Sequence, residues 1–132
     1  METLTEETLP SAYVLPGIRC NTFENFVSVV SAAYNITPSK LYEKTNKREI
    51  VEPRQLVIFY LLNVLKYTQV KAGQPFLLDH ATSLHAKRNI QGMIKTNTIF
   101  RLKFIEISHE LGLKGHEINN LIEGRKFDEN SF

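Results

Sequence analysis

The chain has 132 residues, 42% of them hydrophobic, which is the size and apolar content of one domain that folds around its own core. One cysteine, no apolar leader and a longest apolar run of only Leu56–Leu65 argue against an internal disulfide, a signal peptide and a bilayer span, so we expect a cytoplasmic protein. The net charge of +2 hides a basic centre, because residues 37–103 carry 12 Lys or Arg against 4 Asp or Glu, whereas residues 1–36 and 104–132 each carry −3.

The first predicted helix follows an irregular arm, residues 1–20, in which Thr, Glu, Pro and Gly dominate. Asn21 is a good N-cap and Glu24, three residues later, completes a capping box, so we expect the helix to begin there and to end at Asn35. Its apolar positions follow helical spacing and are Phe23, Phe26, Val27, Val30 and Tyr34.

A short second helix is predicted to run from the N-cap Thr37 to about Lys44, with Pro38 at its first position. Leu41 is expected to face inward from this helix. A polar and basic connection, residues 45–49, follows it.

The third predicted helix is apolar nearly all round, which is typical of a helix in the middle of a bundle. Pro53 is expected at its first position, so the helix is predicted over Arg54–Tyr67. Its apolar residues are Leu56, Val57, Ile58, Phe59, Leu61, Leu62, Val64 and Leu65.

Two further helices with a tight connection are predicted after it. The first covers Gln69–Gln74 and is stopped by Pro75, whereas the second begins at Asp79, a fresh N-cap, and runs to about Lys95. The apolar positions of the longer helix are Leu84, Ala86, Ile90, Met93 and Ile94. A short helix, a connection over residues 75–78 and a longer helix have the lengths of a helix-turn-helix.

The last two predicted helices complete a chain in which we find no strand pattern. One covers about Ile99–Leu111 and stops at Gly112, and a shorter one runs over His116–Glu123 before Gly124. The positions expected to be buried in the longer helix are Ile99, Leu102, Ile105 or Phe104, and Leu111. The sequence therefore predicts an all-α helical bundle of about six helices.

Metal binding and catalysis have little support in the sequence. His80 and His85 are five residues apart, so they point about 140° apart on a helix and cannot hold one ion from the same face. We expect His85 to be half-buried against the core instead. There is no phosphate-binding loop and no Gly-x-Ser-x-Gly turn. We therefore expect a protein that is not an enzyme and that binds no metal, nucleotide or other cofactor.

The stretch Asp79–Arg88 has the chemistry of a recognition helix, whose first residues meet base edges in the major groove of DNA. The expected base readers are His80, Ala81, Thr82 and Ser83. Lys87 and Arg88 follow one to two turns later and are placed to reach phosphates. Lys47 and Arg48 offer a second anchor. The basic centre favours such a polyanionic partner, and on charge alone an unevenly charged, solvated surface stays equally open.

At these residues the sequence resembles the C-terminal DNA-binding domain of the bacterial replication initiator DnaA, which has a helix-turn-helix of the Trp-repressor type. Four segments between about Phe23 and Lys103 carry the resemblance: "AAYNITPSKLYEKTNKRE" (32–49), "EPRQLVIFYLL" (52–62), "KAGQPF" (71–76) and "DHATSLHAKRNI" (79–90). The last is similar to the family signature, Asp-His-Thr-Thr-Val followed by His-Ala. Since the chain has no phosphate-binding loop, we expect a divergent, free-standing relative without the ATPase module of the family.

The resemblance implies a set of DNA contacts. In chain order these are Lys47 and Arg48 in the basic loop that reaches the minor groove, Arg54 and Gln55 at the start of the central helix, and Asp79, His80 and Thr82 in the recognition helix. The chain departs from the family at Ala81 and Ser83, at Asn46 in the basic loop, and at Leu77-Leu78, where the family has Gly-Gly-Arg.

We therefore predict a bacterial helix-turn-helix domain that binds double-stranded DNA with some sequence preference, in replication initiation or transcription control. The alternative is a protein-protein interaction adaptor on a degenerate helix-turn-helix scaffold, which the departures favour. The predicted organisation is an irregular arm (1–20), the helix-turn-helix domain (21–111), and a short helix with a tail (112–132). The acidic ends of the chain are candidate surfaces for a protein partner.

Overall fold

The computed structural model describes residues 22–123, which form six α-helices and two 3₁₀ helices and contain no strand. The α-helices are α1 (Phe23–Ala33), α2 (Arg48–Asn63), α3 (Gln69–Gly73), α4 (His80–Thr96), α5 (Thr98–Glu110) and α6 (Gly115–Glu123). The 3₁₀ helices are Pro38–Tyr42 and Gln74–Phe76. The all-α prediction is confirmed for these residues. The predicted arm 1–20, the predicted stop at Gly124 and the tail lie outside the described residues.

The start of α1 differs from the prediction by one residue. Thr22 is the N-cap, since its hydroxyl accepts a hydrogen bond from the Asn25 amide at 3.1 Å. The predicted capping box between Asn21 and Glu24 is therefore wrong. Three of the predicted apolar positions are buried, namely Phe26, Val27 and Val30. The helix ends at Ala33, because Asn35, two positions later, has a left-handed backbone conformation that cannot continue the helix.

The predicted second helix is a 3₁₀ helix, Pro38–Tyr42, which ends two residues before the predicted Lys44. Thr37 precedes it in an extended conformation and Pro38 is its first residue, as predicted. Leu41 is fully buried, so the prediction that it faces inward is confirmed.

The beginning of α2 is the largest departure from the predicted boundaries. It starts at Arg48, because the amide of Ile50 already donates to the carbonyl of Lys47 at 2.9 Å. Pro53 lies inside the helix, where it withholds one backbone hydrogen bond while its ring is buried. The extra turn at the start of α2 is stabilised because it buries Ile50. The prediction that Pro53 is the first residue of this helix is therefore wrong.

The rest of α2 forms the centre of the bundle, as predicted, and packs against α1, α3 and α4. Five of the predicted apolar residues are fully buried, namely Leu56, Val57, Ile58, Phe59 and Leu61. The helix ends at Asn63 rather than at Tyr67, since the left-handed conformation of Lys66, with a φ of 61°, cannot continue it.

α5 buries a face that the prediction identified only in part, since Phe104 and Leu111 are buried as predicted. Its buried residues are Phe100, Phe104, Ile107 and Ser108. Ile99 and Leu102, both predicted to be buried, are 81% and 62% exposed. The observed face is favoured over the predicted one because it packs the ring of Phe104 on that of Tyr60 in α2, with the ring centroids 5.6 Å apart. The hydroxyl of Tyr60 in turn shares a 2.7 Å hydrogen bond with Ser108.

The stop after α5 is confirmed. Gly112 has a φ of 85°, and the amide of the next residue, Leu113, returns to the carbonyl of Ser108 at 3.1 Å. The predicted last helix is present as α6, Gly115–Glu123, and packs on α4. α5 and α6 thus support the back of α4 and leave its other side to the solvent.

Candidate nucleic-acid interface

The helix-turn-helix consists of α3, the second 3₁₀ helix and α4. Thr68 caps α3 by accepting a hydrogen bond from the Lys71 amide at 3.1 Å, and the α-helix ends at Gly73. Pro75 does not itself end the helical conformation, because it fits the second position of the 3₁₀ helix that follows α3. Leu77, with a φ of 58°, then turns the chain into α4.

α3 and α4 approach each other closely at Gly73. A Cβ atom at this position would lie 2.6 Å from the carbonyl oxygen of Leu78 and 2.7 Å from Oγ of Ser83. Ser83 is fully buried at this crossing, and within residues 22–123 its hydroxyl has no hydrogen-bond partner. The expectation that Ser83 reads a base is corrected accordingly, because its side chain faces α3 and cannot meet a base edge.

Asp79 starts α4, as predicted. Its Oδ1 accepts a hydrogen bond from the Thr82 amide at 2.9 Å and satisfies one of the free donors of the first turn. The hydrogen bonds from Thr82 hold the pKa of Asp79 below its ordinary value. The sequence therefore sets where the exposed surface of α4 begins.

We expect Asp79→Ala to lower the melting temperature by about 4–8 °C, whereas Asp79→Asn, which keeps an accepting oxygen, leaves it nearly unchanged. A depressed pKa stabilises the fold above the unfolded-state pKa, and this contribution is lost as the pH falls through the folded-state pKa. Thermal unfolding between pH 7 and pH 3 measures both effects. Equal acid sensitivity of the wild type and Asp79→Asn would contradict the assigned cap.

α4 turns one line of side chains away from the core. Ala81, His85 and Arg88 are all exposed and lie within about 60° of one another on successive turns. The opposite face is buried and consists of Ser83, Ala86, Ile90 and Ile94. The prediction of a half-buried His85 is wrong, because this residue lies across the helix from the buried stripe. The spacing of four residues between Ala81 and His85, which places both on one face of the helix, is the sequence signal that could have shown His85 to be exposed.

One flank of α4 faces α3 and the chain that leads into it. His80 is exposed at the start of α4 and Lys87 is partly buried two turns later. Both line an open groove of about 490 Å3. Its other walls are Leu62, Tyr67, Thr68, Gln69 and Val70. Imidazole and ammonium groups thus stand at the rim of a groove whose floor is partly apolar.

The other flank of α4 faces the middle of α2. Thr82 and Asn89 are exposed there, seven residues apart and so on the same side of the helix. The Nδ2 atom of Asn89 donates a 2.6 Å hydrogen bond to Oε1 of Gln55 on α2. The middle of α2 and the middle of α4 therefore present polar side chains together, as the sequence alone could not show.

Arg54 holds the chain that precedes α2. Its guanidinium donates to the carbonyl of Leu41 at 2.8 Å and to the carbonyls of Glu43 and Thr45. The side chain is only 9% exposed, and burial lowers its pKa. The expectation of a direct DNA contact for Arg54 is corrected to a positioning role, since its donors are directed at the backbone of residues 41–45.

The basic loop, residues 44–48, ends on exposed Lys47 and Arg48. The side chain of Arg48 is 82% exposed, and its Nε lies 3.6 Å from Oε1 of Glu52. Oε2 of Glu52 accepts a 2.6 Å hydrogen bond from the hydroxyl of Tyr34. Burial, and then this bond, raise the pKa of Tyr34, so its hydroxyl stays a donor. Glu52 thereby orients Arg48 without covering it.

The basic loop and the turn of the helix-turn-helix border a common groove. It has a volume of about 320 Å3 and is lined by Glu43, Lys44, Thr45, Asn46, Arg54, Phe76, Leu77 and Leu78. Leu77 is 81% exposed at its rim. The loop and the turn that leads into α4 therefore lie on the same side of the molecule.

Residues 23–90 match the family described as "Bacterial dnaA protein helix-turn-helix". The chain belongs to this DnaA helix-turn-helix family. The match runs from α1 into the third turn of α4, so it contains every side chain of the candidate interface. The predicted resemblance is confirmed.

Relatives that resemble the chain carry the name chromosomal replication initiator protein DnaA. That of Bacteroides thetaiotaomicron is 30% identical over 95 residues, which is 70% of this chain and 20% of the relative. That of Campylobacter curvus is 31% identical over 93 residues, 70% of this chain and 21% of the relative. The chain therefore spans about a fifth of the length of the curated relatives it matches.

Two other features, a metal-binding cluster and a membrane-spanning helix, are absent from the part of this DnaA-type chain that the structure describes. Residues 22–123 contain no group of three or more His, Cys, Asp or Glu side chains placed to hold a metal ion. None of the described helices is both long enough and apolar enough to cross a membrane.

Proposed function

We propose that this DnaA-type domain binds double-stranded DNA, with α4 in the major groove and the basic loop, residues 44–48, over the neighbouring minor groove. The observation that carries the proposal is the exposed line of Ala81, His85 and Arg88 on the second helix of a helix-turn-helix. The basic centre of the chain supplies the complementary charge, since 12 of its 16 Lys and Arg lie within residues 37–103.

The proposed base readers are the exposed side chains on the first two turns of α4. The methyl groups of Ala81 and Thr82 suit a thymine methyl, and the imidazole of His85 and the hydroxyl of Thr82 suit hydrogen-bonding base edges. Ser83 has no part in this set because it is buried. Asp79 contributes by fixing the first turn.

The proposed phosphate anchors flank the readers on both sides. Lys87 stands at the groove beside α3 and Arg88 is exposed further along α4, whereas His80, exposed at the start of α4, stays a proposed base reader. Lys47 and Arg48 form the anchor on the basic loop. Gln55 adds neutral donors between the two regions.

The biological setting follows from the family as a proposal. The relatives are named chromosomal replication initiators, so we place this domain in replication initiation or in transcription control at DnaA-type sites. It acts there as a binding module without a reaction of its own, and duplex DNA as its partner places it in the bacterial cytoplasm.

The division into base readers and phosphate anchors is tested by measuring the affinity of a panel of variants for two kinds of duplex DNA. One is a preferred duplex, selected beforehand from a random pool, and the other is random-sequence duplex. Thr82→Ala and His85→Ala should each weaken binding to the preferred duplex by about 1–3 kcal/mol and hardly change binding to random duplex. Lys87→Ala and Arg88→Ala should weaken both and lower the salt slope by about one.

Lys114→Ala is the matched control for the panel, because this exposed lysine lies between α5 and α6, away from the proposed interface. It should bind both duplexes as the wild type does, apart from the loss of one distant charge. If readers and anchors had the same effect on both duplexes, the assignment of roles would be wrong.

A second candidate function, the protein-interaction adaptor, is favoured by one observation. Ile99 and Leu102 lie one turn apart on α5, both largely exposed. Binding that is insensitive to salt, with Ile99→Ser and Leu102→Ser rather than the α4 variants reducing partner association, would support the adaptor over the DNA-binding domain.

A further inference from the structure

We propose that Asn89 is a positioning residue that fixes the amide of Gln55 so that its NH2 group points outward as a donor to a DNA phosphate. This inference rests on the proposed DNA-binding function and deepens it. Neither the resemblance nor the spacing of the residues suggests it, since the two side chains are 34 positions apart and belong to different helices.

The orientation of the Asn89 amide follows from its two neighbours. Its Nδ2 lies 2.6 Å from Oε1 of Gln55 and 3.7 Å from the sulfur of Met93. A thioether sulfur only accepts hydrogen bonds, so a flipped Asn89 amide would set its oxygen against the sulfur lone pairs. The nitrogen of Asn89 therefore faces both neighbours.

The orientation of Gln55 follows from that of Asn89. Because Asn89 presents a donor, Gln55 turns its oxygen toward α4 and leaves its two N–H donors for the solvent side. Gln55 is itself only partly exposed. Asn89 thus selects one of two amide orientations.

A phosphate group explains why this orientation matters. Its oxygens accept hydrogen bonds and donate none, so a Gln55 amide with its oxygen outward would repel it. Fixing the side chain before binding also removes part of the entropy cost of ordering it in the complex. A neutral amide contributes such a contact without changing the salt dependence, unlike the lysine and arginine anchors.

The test is a double-mutant cycle with neutral substitutions, measured as the dissociation constant for random duplex DNA and as the salt slope. We expect Gln55→Ala to weaken binding about 10-fold and Asn89→Ala about 3-fold. The double variant should bind as Gln55→Ala does, since Asn89 acts only through Gln55. All three should keep the wild-type salt slope, and thermal unfolding checks that each is folded.

Gln91→Ala on the other flank of α4 is the matched control and should bind as the wild type does. Wild-type affinity of Asn89→Ala, or losses that multiply in the double variant, would overturn the positioning role while leaving the proposed function intact. A wild-type protein that shows no salt-sensitive DNA binding would overturn the proposed function, and this inference with it.

Discussion

Replacing Arg54 by Ala is expected to lower the free energy of unfolding by about 3 kcal/mol and to weaken binding to every DNA sequence by about 10-fold or more. Its guanidinium donates to the carbonyls of Leu41, Glu43 and Thr45 and so ties three backbone oxygens of this segment to α2. Without it, the chain that leads into the basic loop loses its attachment to α2.

Arg101→Ala is the matched control for this variant, because Arg101 also donates to two backbone carbonyls, those of Ile94 at 2.8 Å and Lys95 at 3.0 Å. It lies at the junction of α4 and α5, so its loss should lower stability but not the DNA affinity of the folded protein. If Arg54→Ala kept its stability and lost only DNA binding, Arg54 would be a direct contact and not a positioning residue.

Gly73→Ala is expected to destabilise the domain by about 2–3 kcal/mol. The added Cβ would lie 2.6 Å from the backbone oxygen of Leu78 and 2.7 Å from Ser83 Oγ, so α3 and α4 must move apart. Because one of these contacts is a side chain, Ser83→Ala in the same protein should recover part of the loss. Urea unfolding of the single and double variants measures both values.

Gly92→Ala provides the control for Gly73→Ala. A Cβ at Gly92 would meet nothing within 4 Å, so the higher helix propensity of alanine should stabilise this variant by about 0.5–1 kcal/mol. Opposite signs for the two substitutions are the expected result. Destabilisation of equal size at both positions would show that the close crossing of α3 and α4 is not what requires glycine.

The sequence predicted the elements of the interface better than the orientation of its side chains. The cap at Asp79, the stop at Gly112 and the burial of Leu41 were accessible because each depends on a few neighbouring residues. The interpretation of Pro53 as a first helical residue failed because a buried Ile50 extends the helix beyond the local signal.

The remaining differences come from contacts that are distant in sequence. Two apolar stripes on α5 fit helical spacing, and only the ring of Tyr60 on α2 selects the one that contains Phe104. Likewise, the bonds of Arg54 to residues 41–45 and of Asn89 to Gln55 depend on how α2 packs. Local patterns cannot decide such choices, because the partners are 9 to 48 positions apart.

The measurement that tests the central proposal most directly is a fluorescence-anisotropy titration of residues 1–132 against random-sequence duplex DNA at 50 mM and 200 mM salt. We expect binding that weakens by about 10-fold or more at the higher salt, as contacts from several lysines and arginines to phosphates require. No binding at 50 mM, or binding that is equally strong at both concentrations, would contradict a DNA-binding role for this surface.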